Sequence, residues 1–227
     1  MQRELSRQYS LKVLFRRGSN GQHFPGDIPS NETDLYILCV SDQAIAEVSE
    51  QIPAGKAPVV HVSGATPLTE IAPKHSSRGI WYPLMSFAQG DEPEFTSIPF
   101  CLEASDGETL DLLKGLCLSM KAGYYEVDSA QRKVLHLAAV MAQNFSNHLY
   151  QLAYEQMQTA GLDFSMMKPL LRQSVERLSS GPPRDLQTGP AVRHDELTIA
   201  AHRKMIEDPQ VSEIYRLITQ SIQKKHE

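Results

Sequence analysis

The sequence predicts an α/β fold in which a mostly parallel sheet, over residues 1–127, precedes an all-helical domain over residues 128–227. Short apolar runs alternate with helical patterns through the first part, which is the order that a parallel sheet with crossover helices requires. From Asp128 to Ala160 the chain contains no Gly or Pro, so a long helix replaces that alternation. The 227 residues are enough for two domains of ordinary size.

The front of the chain reads as the end of a helix over residues 1–8 and a strand over residues 10–16, followed by a loop rich in Gly, Pro, Asn and Ser. The clearest strand comes next, because the run Leu35–Val40 is short, apolar and bounded by Ser41-Asp42. Apolar residues then recur at helical spacing across Ala44–Ile52, with Ser41 and Asp42 as candidate N-caps. This stretch predicts a buried strand, a turn and a helix.

The same order repeats further along the first domain. A strand over Val59–Val62 ends in the small residues Ser63-Gly64-Ala65, and Thr66 with Pro67 predicts the N-cap and first turn of a helix. The remaining elements are strands within residues 78–87, 98–104 and 124–127, and a helix within residues 105–123 with Ser105 and Glu108 as a capping box and Gly123 as its stop.

The second domain begins with the long helix. Asp128 and Gln131 form a capping box at its start, and Gly161 ends it. At about 100° per residue an apolar arc of Met141, Phe145, Leu149 and Leu152 lies opposite a polar stripe of His136, Gln143, Asn144, Asn147 and Gln151. Three more helices are predicted over residues 165–178, 195–207 and 211–224.

Composition limits the partners and the compartment. The formal charge of −5 offers no electrostatic attraction for nucleic acid. No apolar run approaches the length of a membrane span, and the N-terminus has no secretory h-region, so we expect a cytoplasmic protein without a membrane partner. Cys39, Cys101 and Cys117 lie in apolar runs without a CxxC pair, which favours buried free thiols over a disulfide or a metal site.

The strand ends are the candidate ligand sites, because doubly wound sheets bind ligands at the carboxyl ends of their strands. No GxGxxG turn is present, and residues 18–21, GSNG, read as a variant phosphate loop or as a plain loop. If residues 10–16 form a second strand, Arg16-Arg17 at its end would favour NADP over NAD, although a solvated arginine pair explains them equally well. Ser63-Gly64 could present N–H groups to a ligand, whereas His61 within the strand reads as packed.

A second polar cluster lies in the helical domain. Thr188-Gly189-Pro190 precedes Arg193-His194-Asp195 at a predicted helix start, and His202 follows within that helix. These residues would suit an anionic or carbonyl substrate, with His194 or His202 as proton donor. The simpler alternative is that Asp195 is only the N-cap.

Five segments in order resemble a known family: DLYILCVSDQAI, HVSGATPL, YPLMSF, HLAAVMAQN and TGPAVRHD. The family consists of uncharacterised Rossmann-like proteins with a helical C-terminal domain of unknown function, related to β-hydroxyacid dehydrogenase-like proteins and pyrroline-carboxylate reductase. The resemblance covers about residues 34–225. It implies a Rossmann-like domain that binds NADP, a helical domain that forms a homodimer, and an oxidoreductase acting on a small molecule.

The resemblance also implies site residues. On the cofactor side these are Arg17, Val40, Ser41, Asp42, Ser63 and Gly64. On the substrate side they are His136, Asn144, Thr188, Gly189, Pro190, Arg193 and Asp195. With His194 from the second polar cluster added, the catalytic candidates are His136, Asn144, Arg193 and His194. The family's His-Pro-Leu segment is here Tyr82-Pro83-Leu84, so the role of that histidine is absent or passes to a tyrosine hydroxyl.

The first strand and the glycine turn of the family's fold have no counterpart in this sequence, so the Rossmann-like sheet reads as truncated. Three explanations stay open: the sequence starts late, residues 10–16 pair directly beside Leu35–Val40, or residues 10–16 are themselves the first strand. We therefore expect an NADP-dependent oxidoreductase acting on a small carbonyl or imine in the cleft between domains. The alternative is a non-catalytic binding or regulatory module that kept the fold and lost the dinucleotide.

Overall fold

The computed structural model describes residues 5–6, 8–14, 28, 33–87 and 93–227. Arg17 and the segment at residues 18–21 lie outside the described residues. Leu5 is buried, and its carbonyl accepts from the Gln8 and Tyr9 N–H groups at 3.0 and 2.9 Å, which fits a helix ending there. Residues 10–14 form no strand, contrary to the prediction for residues 10–16.

The chain separates into two compact units, Met1–Asn144 and Phe145–Glu227. We call them the first and the second unit. The predicted boundary lies at residue 127, whereas this division falls after Asn144, so the first part of the long helix belongs to the first unit.

A five-stranded sheet forms the centre of the first unit, and its strands are adjacent in the order β1-β2-β3-β4-β5. The strands are β1 (Tyr36–Leu38), β2 (Val59–His61), β3 (Arg78–Pro83), β4 (Phe100–Ala104) and β5 (Tyr124–Glu126). All neighbours are parallel except β3 and β4, which are antiparallel. The mostly parallel α/β sheet predicted from the sequence is thereby confirmed.

The helices of the first unit depart from the predictions mainly at their ends. They are α1 (Ile45–Gln51) after a 3-10 turn at Asp42–Ala44, α2 (Gly107–Ser119) and α3 (Ser129–Ala139), with further 3-10 turns at Leu68–Glu70 and Phe95–Ser97. Ser41 precedes the first turn without capping it by a side-chain hydrogen bond. The helix predicted after Thr66-Pro67 is only a 3-10 turn, because Thr66 is bonded back to Ser63 instead of capping forward.

Helix α2 begins and ends one or two residues away from the predicted positions. Asp106, not Ser105, is its N-cap and accepts from the Thr109 N–H at 2.8 Å. After Ser119 the chain turns at Lys121, whose φ of 55° is left-handed, so Gly123 is not the stop. An aspartate reaches the free N–H groups of a first turn as well as a serine does, and sequence alone did not decide between the two neighbours.

Two apolar clusters hold the sheet. The larger one includes Trp81 and Phe100, whose rings stack at 4.7 Å, together with Leu113 of α2. The smaller one packs Ile45 of α1 onto Val59 of β2. Cys101 and Cys117 are buried free thiols as expected, but Cys39 is exposed because it lies just past the short strand β1.

The long helix is interrupted in a way that periodicity did not reveal. The predicted capping box is present: Asp128 accepts from the Gln131 N–H at 2.8 Å, and the Gln131 side chain accepts from the Asp128 N–H at 3.0 Å. A π-helical segment, Val140–Phe145, then separates α3 from α4 (Ser146–Thr159), and Gly161 with φ 70° follows the end of α4. A π-turn inserts one extra residue into the helical repeat. The rotation of about 100° per residue that was used to assign the helix faces therefore does not hold along the whole predicted helix.

The second unit is all-helical, as predicted. After α4 it contains a 3-10 turn at Phe164–Met167, α5 (Lys168–Glu176), a 3-10 turn at Arg177–Ser180, α6 (Glu196–Met205) and α7 (Pro209–His226). Within the part of the chain that the structure describes, none of the helices combines the length and the apolar character that a membrane span requires.

Candidate functional site

The carboxyl ends of β1, β2 and β3 lie at one edge of the sheet, because these three strands are parallel. Val40, Ser41 and Asp42 follow β1, and Ser41 and Asp42 are exposed. Ser63 and Gly64 follow β2, and Tyr82 is the second-last residue of β3. Polar groups from three strands therefore meet at the edge where doubly wound folds bind ligands.

The turn after β2 is organised around the Ser63 hydroxyl. Its oxygen accepts from the Ala65 and Thr66 N–H groups at 3.1 and 3.0 Å and contacts the Thr66 hydroxyl at 3.0 Å. Ser63 is also largely buried. The Ser63 hydroxyl consequently holds the shape of the turn. The groups that the turn offers to a ligand are therefore backbone groups.

His61 is fully buried beneath this turn. Its Nδ1 accepts from the Ser63 N–H at 3.1 Å, which places the ring proton on Nε2. Burial, and secondarily the Arg132 cation, lower the pKa of His61 to about 4. The imidazole is thus neutral at physiological pH and supports the turn from below, as a packed histidine does.

Gly64 is the point where two functional side chains reach the strand end. A Cβ at this position would lie 2.7 Å from His136 Nδ1 and 2.7 Å from Tyr82 Cζ. Only glycine permits so close an approach. The hydrogen bonds of the described residues leave the Gly64 N–H without an acceptor.

Tyr82 and His136 form a polar pair over Gly64. The Tyr82 hydroxyl lies 3.5 Å from His136 Nδ1, and the rings meet edge to face at 6.2 Å. Burial raises the pKa of Tyr82, so the phenol keeps its proton at neutral pH. Both side chains remain partly accessible. The pair is therefore suited to hold and transfer a proton at the edge of the sheet.

A buried ion pair below this site escaped the sequence analysis. Arg132 of α3 has no exposed surface and pairs with Glu103 of β4. Arg132 Nη2 also donates to the Thr66 carbonyl at 2.7 Å and contacts the Ser129 hydroxyl at 3.2 Å. The available signal was Glu103 itself, a carboxylate inside an otherwise apolar strand.

The π-helical segment carries the next polar residues of the long helix. Gln143 Oε1 accepts from the Ser86 hydroxyl at 3.3 Å, and Asn144 is exposed. Isolated π-turns occur frequently at functional sites, because they redirect side chains. The structure thus brings Ser63, Gly64 and His136 together, while it gives Asn144 no described hydrogen-bond partner.

The predicted residues of the second unit form their own cluster. Gly189 has a φ of 110° and His194 a φ of 51°, and Arg193 and His194 are exposed. Asp195 caps α6 by accepting from the Thr198 N–H at 3.0 Å and from its hydroxyl at 2.7 Å. These bonds to Thr198 lower the pKa of Asp195, so the carboxylate is charged and committed to the cap.

Next to this cluster the second unit contains an apolar cavity of about 320 Å³. Thr188 and Pro190 line it together with side chains of α4 and α7. His202 Nδ1 lies 2.9 Å from the Tyr215 hydroxyl.

The described residues at this edge are compatible with a dinucleotide. The edge offers exposed strand ends after β1 and a free backbone N–H at Gly64, with a proton-holding pair beside it. Within the described ranges no group of three or more His, Cys, Asp or Glu side chains is arranged to hold a metal ion.

This chain is similar to one described family and to several solved structures. A family model described as a domain of unknown function, DUF2520, matches residues 98–222. A candidate NADP oxidoreductase from Bacteroides fragilis is 34% identical, with a TM-score of 0.82 over 90% of this chain and 81% of that one. A protein from Thermotoga maritima is 26% identical, with a TM-score of 0.67 over 85% of this chain and 77% of that one.

A more distant match shows the fold alone. Pyrroline carboxylate reductase from Plasmodium falciparum, solved with NADP bound, has a TM-score of 0.56 at 11% identity, covering 94% of this chain and 86% of that one. A comparison with curated proteins finds no match. The Rossmann-like fold class predicted from the sequence is confirmed by these structures.

Proposed function

The chain belongs to the family defined by the domain of unknown function DUF2520, as its five motifs indicated, and from this membership and the geometry above we propose that it is an NADP-dependent oxidoreductase. Its substrate would be a small carbonyl or imine compound. The observation that carries the proposal is the meeting of Tyr82 and His136 over Gly64 at the carboxyl end of β2. A candidate NADP oxidoreductase is 34% identical over most of the chain, which supports the same activity.

When bound, the nicotinamide cofactor supplies or accepts the hydride. The chain's own residues would hold it at the strand ends: Val40, Ser41 and Asp42 after β1, and Ser63 and Gly64 after β2. Arg17 would select the 2′-phosphate of NADP by its guanidinium.

Tyr82 and His136 would manage the proton that accompanies the hydride. A carbonyl oxygen or imine nitrogen gains a proton as it is reduced, and the neutral phenol of Tyr82 is a suitable donor. The resulting phenolate would be reprotonated through His136, whose Nδ1 lies 3.5 Å away and whose partly accessible ring would take up that proton from water. Asn144, Arg193 and His194, with Thr188, Gly189, Pro190 and Asp195, are proposed to orient the substrate, and the second unit is proposed to form a homodimer.

The proposal is tested by following NADPH oxidation with a panel of small carbonyls, alone and with amines that convert them to imines. We expect NADPH oxidation with at least one of the two compound classes, carbonyls or imines. Tyr82→Phe and His136→Asn should each lower kcat by about 10² fold, the usual contribution of a general acid, while NADPH affinity changes little. No turnover with any compound, together with no NADPH binding, would favour the non-catalytic binding module instead.

A further inference from the structure

Among the described residues of the first unit, Arg132 is the most deeply buried charged side chain. Its side chain and that of Glu103 are 0% and 18% exposed. Burying such a pair removes both charges from water, and apolar replacements of similar size are often as stable. Fold stability alone is therefore a weak reason for this pair to be present.

The pair connects three elements that meet at the site. Glu103 lies on β4, and the Thr66 carbonyl, which Arg132 Nη2 contacts at 2.7 Å, closes the turn after β2. Ser129 belongs to the first turn of α3; its hydroxyl lies 2.8 Å from Glu103 and accepts from the Leu68 N–H at 3.3 Å. One buried network thus ties helix, strand and turn to each other.

The network holds the two structures that meet at Gly64, the Ser63–Thr66 turn and helix α3. Thr66 is bonded to Ser63 by its N–H and hydroxyl and to Arg132 by its carbonyl, so the Ser63–Thr66 turn is fixed at both ends. Arg132 and His136 are four residues apart on α3 and share one face. A rotation of α3 that moves Arg132 away from Thr66 therefore also changes the position of His136 relative to Gly64.

The site has little tolerance for such movement. A Cβ on Gly64 would already be 2.7 Å from both partners, and the Tyr82–His136 distance of 3.5 Å is at the outer limit of a hydrogen bond. Displacements of about 1 Å are enough to cost orders of magnitude in aligned chemistry.

We propose that Arg132, paired with Glu103, is a positioning residue that holds the turn after β2 and helix α3 in the alignment that brings Tyr82 and His136 together over Gly64. The role in catalysis rests on the proposed oxidoreductase function. The alignment itself is a property of the chain without cofactor, so the two can be tested separately.

The alignment is tested by the coupling between Tyr82 and His136. The ring resonances of His136 are followed by NMR at one fixed pH in the intact chain, with and without Tyr82→Phe, in two backgrounds: wild type, and Arg132→Met combined with Glu103→Leu. We expect Tyr82→Phe to shift the His136 ring resonances in the wild type but not in the apolar double variant. An equal shift in both backgrounds would overturn the proposal.

Two further variants keep the test decisive. If the double variant does not fold, Arg132→Lys retains the charge beside Glu103 but lacks the second guanidinium arm, Nη2, which donates to the Thr66 carbonyl. The same loss of coupling is expected. Glu126→Gln breaks a more exposed ion pair, in which Lys114 Nζ lies 2.7 Å from Glu126, and should leave the coupling intact. Retained coupling in Arg132→Lys, or loss of coupling in Glu126→Gln, would count against the proposal.

NADPH titration of the same variants separates this proposal from the proposed function. If wild type binds NADPH, we expect the apolar double variant to bind on the order of tenfold more weakly, the equivalent of about one hydrogen bond. Unchanged affinity would argue against a positioning role in cofactor binding. Absence of binding by wild type would overturn the oxidoreductase proposal, while the NMR coupling would still decide the role of Arg132.

Discussion

At the scale of single residues, Gly64 and His61 explain how a short turn becomes a site. Gly64 lacks the Cβ that would otherwise separate Tyr82 from His136, and His61 holds the Ser63 N–H from below. Neither residue needs to take part in a reaction. Both fix the positions of the backbone and side-chain groups that could take part in one.

Replacing Gly64 by alanine should disrupt the site more than the fold. The new Cβ would meet His136 and Tyr82 at 2.7 Å, and one or both side chains must move. We expect a stability loss of about 1–3 kcal/mol and NADPH binding weakened by on the order of tenfold. Gly55→Ala is the matched control, because nothing lies within 4 Å of a Cβ there. Fluorescence titration showing equal affinity in both variants would refute this role of Gly64.

His61 should make stability depend on pH in the weakly acidic range. The folded pKa is about 4 and the ordinary value is 6.5, so the unfolded chain takes up the proton first. The stabilisation from the neutral ring is complete above pH 6.5 and is lost as the pH falls towards 4, by up to roughly 3 kcal/mol.

The variant His61→Asn isolates this contribution. Its side-chain oxygen can still accept from the Ser63 N–H but does not titrate. Urea unfolding at pH 7 and pH 4.5 should show a smaller pH-dependent loss in His61→Asn than in wild type. The neighbouring charges Arg132 and Asp42 are the same in both proteins. Identical pH dependence would show that His61 does not titrate in this range.

At the scale of elements, α3 is what connects the sheet to the site. Its face at Ser129, Arg132 and His136 contacts β4, the turn after β2, and Tyr82 of β3. The helix and its capping box could be predicted, because caps depend on local side chains. The buried pair Arg132–Glu103 could not, because it joins residues 29 positions apart whose proximity only the tertiary fold creates.

The N-cap of α3 should therefore matter for binding as well as for stability. Asp128→Ala removes the acceptor of the Gln131 N–H and should cost about 1 kcal/mol. Asp208→Ala removes an equivalent cap, bonded to Gln210 and Val211, from α7 in the second unit. Thermal unfolding should show similar losses of stability in the two variants, but only Asp128→Ala should weaken NADPH binding. An equal loss of NADPH affinity in both variants would contradict a special role of α3 in binding.

At the scale of the molecule, the mostly parallel sheet and the helical second unit followed from the patterns along the chain, but the order of the strands did not. The antiparallel β3–β4 pair did not, since apolar runs carry no direction. The π-helical segment was also missed, because Val140–Phe145 contains no Gly or Pro to mark it. The roles of Arg193, His194 and Asn144 stay predictions, and Asp195 is at least a helix cap.

The second unit should form a homodimer through its apolar surface. Large apolar side chains are exposed on it, among them Phe145 at 57% and Leu149 at 38%, one turn apart. Sedimentation velocity should give a dimer for wild type and a monomer for Phe145→Glu with Leu149→Glu. Leu118→Glu, at a position 65% exposed in the first unit, is the control and should remain dimeric. A monomeric wild type would contradict this prediction.

Calorimetric titration of the 227-residue chain with NADPH and with NADH tests the central claim most directly. The oxidoreductase account predicts saturable NADPH binding with one site per chain, and weaker binding of NADH, since Arg17 is proposed to contact the 2′-phosphate. Arg17→Ala should reduce the difference between the two cofactors. No binding of either dinucleotide at millimolar concentration would contradict the account.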